Sequence, residues 1–177
     1  MPDKHNIILI GPKGAGKTQI FNRLTGSKKT FETAHKVRLG FIPASMKYVE
    51  KNLQIEYSDC GPDIESEQIN TALLKASKIC LVFEVTDLNW ERNLDDYLRS
   101  KGINLPSGVQ LLLLGNKIDL LSMEQKQLIV RSAAETYATR KGATFVEYSA
   151  KENTDLGVLI DSLKPVYLLR CLARQFL

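Results

Sequence analysis

The chain has 177 residues, 44% of them apolar and 25% charged, enough for one proper core and too few for two domains of ordinary size, so a single domain over 1–177 is expected. Its net charge of +4 is the small balance of 24 basic and 20 acidic residues spread along the sequence, which makes no case for nucleic acid. The cysteines Cys60, Cys80 and Cys171 are far apart and lack CxxC or Cys/His spacing, so neither a disulfide framework nor a zinc site is expected, and a reducing, cytoplasmic compartment fits best.

Met1-Pro2-Asp3-Lys4-His5 leads straight into the short apolar run Ile7-Ile8-Leu9-Ile10, closed by Gly11. Neither a signal peptide nor a membrane span is expected there. Pro2 in the place of glycine, and the distance of Cys171 from the last residue, argue against the common lipid anchors. The run itself reads as a strand buried on both faces, and Lys17 to Leu24 as the helix that follows.

Phe41 to Glu50 and Leu53 to Ser58 read as two strands joined by a turn near Lys51-Asn52, with Pro43 marking the first as an edge strand. From Ile64 to Ser77 the apolar spacing is loosely helical, and Ile79 to Val85 is again a buried strand. A short helix from Trp90 to Ser100 precedes a strand at Val109 to Leu114. A helix from about Ser122 to Lys141, a strand at Thr144 to Tyr148 and a terminal helix complete the chain. Alternating strands and helices predict an α/β fold, a mostly parallel six-stranded sheet covered on both faces, with ligands at the carboxyl ends of the strands.

The chemistry-bearing motifs fall at those ends. Gly11-Pro12-Lys13-Gly14-Ala15-Gly16-Lys17-Thr18 satisfies G-x-x-x-x-G-K-[ST] between a strand and a helix, the setting a P-loop requires. Small residues let the backbone N–H groups of the turn, from Lys13 through the helix start at Gln19, wrap phosphates. Lys17 neutralises the outer ones, and the Thr18 hydroxyl is placed to ligate Mg2+. The turn by itself does not choose between adenine and guanine. Asn116-Lys117-Ile118-Asp119 does: the Asp119 carboxylate can accept both the ring N1–H and the exocyclic amine of guanine, a donor pair adenine lacks.

With these motifs in this order, followed by Ser149-Ala150-Lys151, the chain resembles the Ras-like small GTPase superfamily over essentially its whole length. The resemblance implies a P-loop G domain binding GTP or GDP with Mg2+, and a protein effector or host complex as partner. It implies that Asn116 braces the base loop, that Lys117 lays its stem over the ring, and that a backbone N–H at Ala150 donates to the guanine oxygen. Asp59 in Asp59-Cys60-Gly61-Pro62 would be the water-mediated Mg2+ partner. Leu39-Gly40-Phe41 has an Arf-like look and Tyr148-Ser149-Ala150-Lys151 a Rab-like one.

The phosphate end departs from the family pattern. Pro62 replaces the glycine of D-x-x-G and has no N–H to sense the terminal phosphate, leaving Gly61 as the substitute donor after a shift of one residue. Asp63 stands where relatives carry the glutamine that orients the attacking water, and it is shorter and anionic. Lys13 occupies a position that is glycine in many relatives, where a long cation would block or imitate a partner's arginine. Thr30 and Thr33 are candidates for the effector-loop threonine, although the expected position falls near Val37 to Leu39. Two readings follow: a GTP/GDP switch with slow or partner-dependent hydrolysis, and a hydrolysis-deficient GTP-binding subunit of a larger assembly. The apolar terminal stretch Val166 to Leu177 reads as a helix packing on the sheet, with a partner-docking end as the other reading. Trp90 reads as packing, and His5 and His35 carry no chemistry.

Overall fold

A computed structural model of the chain describes residues 3–25, 41–48, 53–60, 64–122, 130–153 and 156–164, with the backbone alone described for 3–4, 25, 41–48 and 53–60. The elements are β1 (Asp3–Ile10), α1 (Lys17–Thr25), β2 (Phe41–Tyr48), β3 (Leu53–Cys60), α2 (Ser66–Leu74), β4 (Lys78–Glu84) and α3 (Trp90–Ser100). They continue with β5 (Gln110–Asn116), a single 3-10 turn at Ile118–Leu120, α4 (Val130–Lys141), β6 (Ala143–Tyr148) and α5 (Leu156–Leu163).

The six strands form one sheet in the order β2-β3-β1-β4-β5-β6. Only the β2–β3 pair is antiparallel; the other four pairings are parallel. β2, which carries Pro43, lies at one edge, where a residue without a backbone donor is tolerated.

The continuous apolar runs in β1, β4 and β5 are explained by helices on both sides. Alternate residues point to opposite faces of a strand, so Ile8 and Ile10 join Leu73, Leu94, Leu98, Leu113 and Tyr137 in one buried layer. Ile7 and Leu9 join Ile20, Leu24, Leu112, Leu159 and Leu163 in the other. Each fully buried Leu or Ile contributes about 1.5–3 kcal/mol. These two layers hold the strand ends in fixed relation.

Local chemistry sets the helix ends. Trp90, Leu94 and Leu98 recur every four residues and are all buried, so α3 turns one stripe inward. Asp87 braces the turn before it, taking Asn89 N–H at 2.9 Å and Asn93 Nδ2 at 2.7 Å on its two carboxylate oxygens. Trp90 stacks on Phe83 with ring centroids 4.1 Å apart, as packing predicts. The helix expected from Ile64 is shorter, because Lys75 and Ala76 N–H close onto Ala72 and Leu73 and Ser77 N–H reaches Asn6 O at 2.8 Å, beginning the strand edge. The helix expected from Ser122 is described only from Val130, and Ser122 lies outside it. Residues 123–129, the turn at Lys51-Asn52, His35, and the stretch from Pro165 to Leu177 lie outside the described residues.

No helix among the described residues is long and apolar enough to cross a membrane.

Candidate functional site

β1 ends at Ile10, and the chain turns sharply through 11–16 before α1 begins at Lys17. Gly11 is needed at the start of that turn: a Cβ there would lie 2.1 Å from the Val82 carbonyl oxygen of β4. Lys17 folds back over the turn, its Nζ donating to Gly11 O at 2.7 Å and Pro12 O at 2.9 Å. Its charge is thereby held above the concave side. A Cβ built on Gly14 would meet no atom within 4 Å, so the turn opens onto free space, as a phosphate cradle at a helix N-terminus requires. Lys13 is exposed, while Thr18 and Gln19 are partly buried in the first turn of α1.

The second loop leaves β5, two strands away. Asn116 is 2% exposed, and its side chain spans two loops. Nδ2 donates to Ala15 O at 2.9 Å, and Oδ1 accepts Ala150 N–H at 3.1 Å. Such a fully paired buried amide costs little, whereas a half-paired one would be expensive. Segments 101 and 34 residues away along the chain are joined to β5 by this one amide.

Lys117 then takes left-handed backbone angles, φ 70° and ψ 33°, which turn the chain into the 3-10 turn. The conformation costs a non-glycine residue about 1–3 kcal/mol. Leu120 N–H bonding Lys117 O at 3.0 Å supports it, and so does the ion pair of Lys117 Nζ with Glu84 Oε2 at 2.6 Å. The other Glu84 oxygen accepts the Thr86 hydroxyl at 2.7 Å, so the carboxylate is held on both sides.

Asp119 lies in the 3-10 turn with its side chain 8% exposed. Ser149 Oγ donates to one oxygen at 2.6 Å and Lys151 Nζ lies 3.8 Å from the other. The turn at 149–153 is closed by Glu152 N–H on Ser149 Oγ at 3.0 Å and Asn153 N–H on Ser149 O at 2.8 Å. Tyr148 OH donates to Asn153 Oδ1 at 2.7 Å. Burial pushes the Tyr148 phenol up to about 12, with the charge of Arg23 acting against it, so it stays a neutral donor. Arg23 of α1 donates from Nε to Ala150 O at 2.8 Å and from Nη2 to Lys151 O at 3.0 Å.

The sequence-predicted residues Lys13 to Gln19, Asn116, Lys117, Asp119 and Ser149 to Lys151 therefore come together at the carboxyl ends of β1, β5 and β6. Asp59 lies at the carboxyl end of β3, paired in register with Leu9 of β1 and Ile42 of β2, which brings its backbone to the same rim. The Asp59 side chain, Gly61, Pro62, Asp63, Thr30, Thr33 and the span from Val37 to Leu39 lie outside the described residues. Two residues that build the site were not among the expected ones. Glu84 ends an apolar strand with a carboxylate at the ligand-bearing rim, a signal the sequence does carry. Arg23 has none, since its role is a contact across 127 residues. Cys80 is excluded as a nucleophile: it is wholly buried, and that burial drives its thiol far above the usual range.

Residues 6–165 match the family model described as the Ras family. The chain belongs to the Ras family. It is a small GTP-binding protein, and among the family's members it is Rab-like. It is 28% identical over 170 residues to Ras-related protein Rab-13 of Mesocricetus auratus, covering 96% of this chain and 82% of that one. It is 30% identical over 154 residues to Ras-related protein Rab-10 of Diplobatis ommata, covering 85% and 74%. It is 26% identical over 151 residues to Ras-related protein YPTC6 of Chlamydomonas reinhardtii, covering 85% and 68%. The Rab-like look of Tyr148 to Lys151 was the better guide to the branch than the Arf-like look of Leu39 to Phe41.

Proposed function

We propose that this Ras-family chain is a single G domain that works in the cytoplasm as a GTP/GDP switch, hydrolysing GTP slowly or only with a partner's help. The observation that carries the reading is the Asn116 bridge, which fixes the P-loop at Ala15 and the base loop at Ala150 to a single buried amide. In this reading the turn from Lys13 to Gln19 and the ammonium of Lys17 hold the phosphates. Asp119 accepts the N1–H and exocyclic amine of guanine, Lys117 covers the ring, and the Ala150 N–H, which donates to Asn116 Oδ1 at 3.1 Å here, turns to the guanine oxygen of the bound base. Thr18 and Asp59 hold Mg2+, which when bound neutralises phosphate charge. GTP and GDP states then offer different loop surfaces to an effector.

Slow hydrolysis follows from Pro62, which removes an N–H donor, and Asp63, which replaces a neutral water-orienting group by an anion near phosphate. Lys13 supports a second reading, a non-hydrolysing interaction subunit stabilised by its nucleotide: it is an exposed cation on the P-loop itself, where an incoming arginine would be repelled. Single-turnover hydrolysis of preloaded GTP in Mg2+ separates the readings. The switch predicts slow but measurable turnover, accelerated in the Pro62→Gly, Asp63→Gln double variant. GTP that persists in both proteins favours the interaction subunit. Wild-type turnover as fast as that of ordinary small GTPases contradicts both.

A further inference from the structure

We propose that Arg23 is a positioning residue for base recognition, fixing the 149–151 loop to the helix that begins at the phosphate-binding turn. The inference rests on the reading above that the loop meets the guanine oxygen, and it concerns a residue outside all three motifs.

Arg23 sits in the last turn of α1, whose first residue is Lys17 of the P-loop. Its guanidinium donates to two successive carbonyls, Ala150 O at 2.8 Å and Lys151 O at 3.0 Å. A planar fork with fixed donor directions defines the orientation of both peptide groups at once, which a single ammonium does not. From the opposite side Asn116 Oδ1 holds the Ala150 N–H at 3.1 Å, while the same side chain holds Ala15 O at 2.9 Å. Ala150 is thus held at its N–H by an amide tied to the P-loop and at its carbonyl by a guanidinium carried on the P-loop's own helix.

The turn has its own closure through Ser149 and Asn153, so it keeps its shape without Arg23. What Arg23 adds is its place relative to α1. With both anchors, the groups that read the purine oxygen and those that take the phosphates belong to one rigid frame, and the nucleotide meets both ends without reordering the loop. Loss of the fork leaves the phosphate turn intact and frees the Ala150 and Lys151 carbonyls, and the loop with them, to shift relative to α1.

The effect is therefore specific for the purine oxygen, which a general loss of structure is not. The test measures dissociation constants of GDP, IDP and 2-aminopurine riboside 5′-diphosphate, for wild type, Arg23→Lys and Arg23→Met. IDP keeps the oxygen and lacks the exocyclic amine; the 2-aminopurine nucleotide keeps the amine and lacks the oxygen and the N1–H, so each nucleotide is compared with its own wild-type value. The expected result is that Arg23→Met weakens GDP and IDP about tenfold, that Arg23→Lys falls between, and that the 2-aminopurine nucleotide is held as by wild type. Equal weakening of all three nucleotides, or no weakening in either variant, overturns the role of Arg23. Arg23→Lys retains the charge and stem, so it supplies the comparison even where Arg23→Met does not fold. Wild type that binds the 2-aminopurine nucleotide as tightly as GDP overturns instead the reading of the base loop, and the inference with it.

Discussion

The side-chain amide nitrogen of Asn116 stands 2.9 Å from the carbonyl oxygen of Ala15, so the end of β5 is hydrogen-bonded to the turn between β1 and α1. Asn116→Ala leaves Ala15 O and Ala150 N–H without this partner in a buried setting. The expected cost is about 2–4 kcal/mol of stability for the two lost bonds, read as a lower midpoint in urea unfolding. A variant with the wild-type midpoint would contradict the bridge.

Gly16 lies against the same side chain. A Cβ at Gly16 would approach Asn116 Nδ2 to 2.2 Å, and its φ of +88° already disfavours any other residue. Gly16→Ala is expected to cost about 1–3 kcal/mol in backbone strain alone and to weaken nucleotide binding. Because the clash is with Asn116, the Gly16→Ala, Asn116→Ala pair should cost less than the sum of the single changes by about 1 kcal/mol. Additive losses would show that the contact carries no energy.

The Lys117–Glu84 pair is about two-thirds shielded from solvent on each side, at 31% and 29% exposure. Glu84→Gln keeps the size and the Thr86 contact but loses the charge that fixes the lysine. An affinity loss for GDP of about 1 kcal/mol, near fivefold, is expected. The loss should vanish when Glu84→Gln is made in a Lys117→Ala background, and a loss that persists there would place the effect elsewhere.

Asp119→Asn changes two acceptors into one acceptor and one donor. The amide then complements the N1–H and C2 carbonyl of xanthine and opposes the exocyclic amine of guanine. Competition binding should show preference passing from GDP to xanthosine diphosphate by at least about tenfold. Retained guanine preference would remove Asp119 from base recognition.

Far from the pocket, Asp95 links α3 to α4. Burial pushes its pKa upward, but the Tyr137 hydroxyl at 2.7 Å, Lys141 at 3.2 Å and the charge of Arg140 outweigh that and hold the carboxyl below its ordinary range. The folded state thus binds this proton more weakly than the unfolded state. Its contribution to stability is present above the unfolded value near about 4 and is lost as pH falls through the depressed one. Asp95→Asn should be less stable than wild type at pH 7, with the gap narrowing toward pH 3 in urea titrations. A gap independent of pH would contradict the assignment.

Much of this was legible in the sequence, for physical reasons that differ by element. The run Ile7 to Ile10 and the leucines 111–114 read as strands because both their faces are covered, and α3 has its expected bounds, with Trp90, Leu94 and Leu98 forming one buried stripe. The motif residues could be named because phosphate and guanine chemistry restricts their type and spacing. Arg23 and Glu84 could not be named as partners: each acts on a residue that folding brings near, 127 and 33 positions away. The helix expected from about Ser122 is described from Val130 to Lys141, where its end falls as expected.

The most direct test of the account is competition between GDP and ADP for the purified chain, with a ribose-labelled GDP as the reporter. If Asp119, Lys117 and the 149–151 loop read the base while the P-loop takes phosphate, ADP offers the Asp119 carboxylate neither the N1–H nor the exocyclic amine of guanine and should compete about ten-thousand-fold more weakly than GDP. Comparable displacement by both would show that only the phosphates are recognised, and would contradict the assignment of the site.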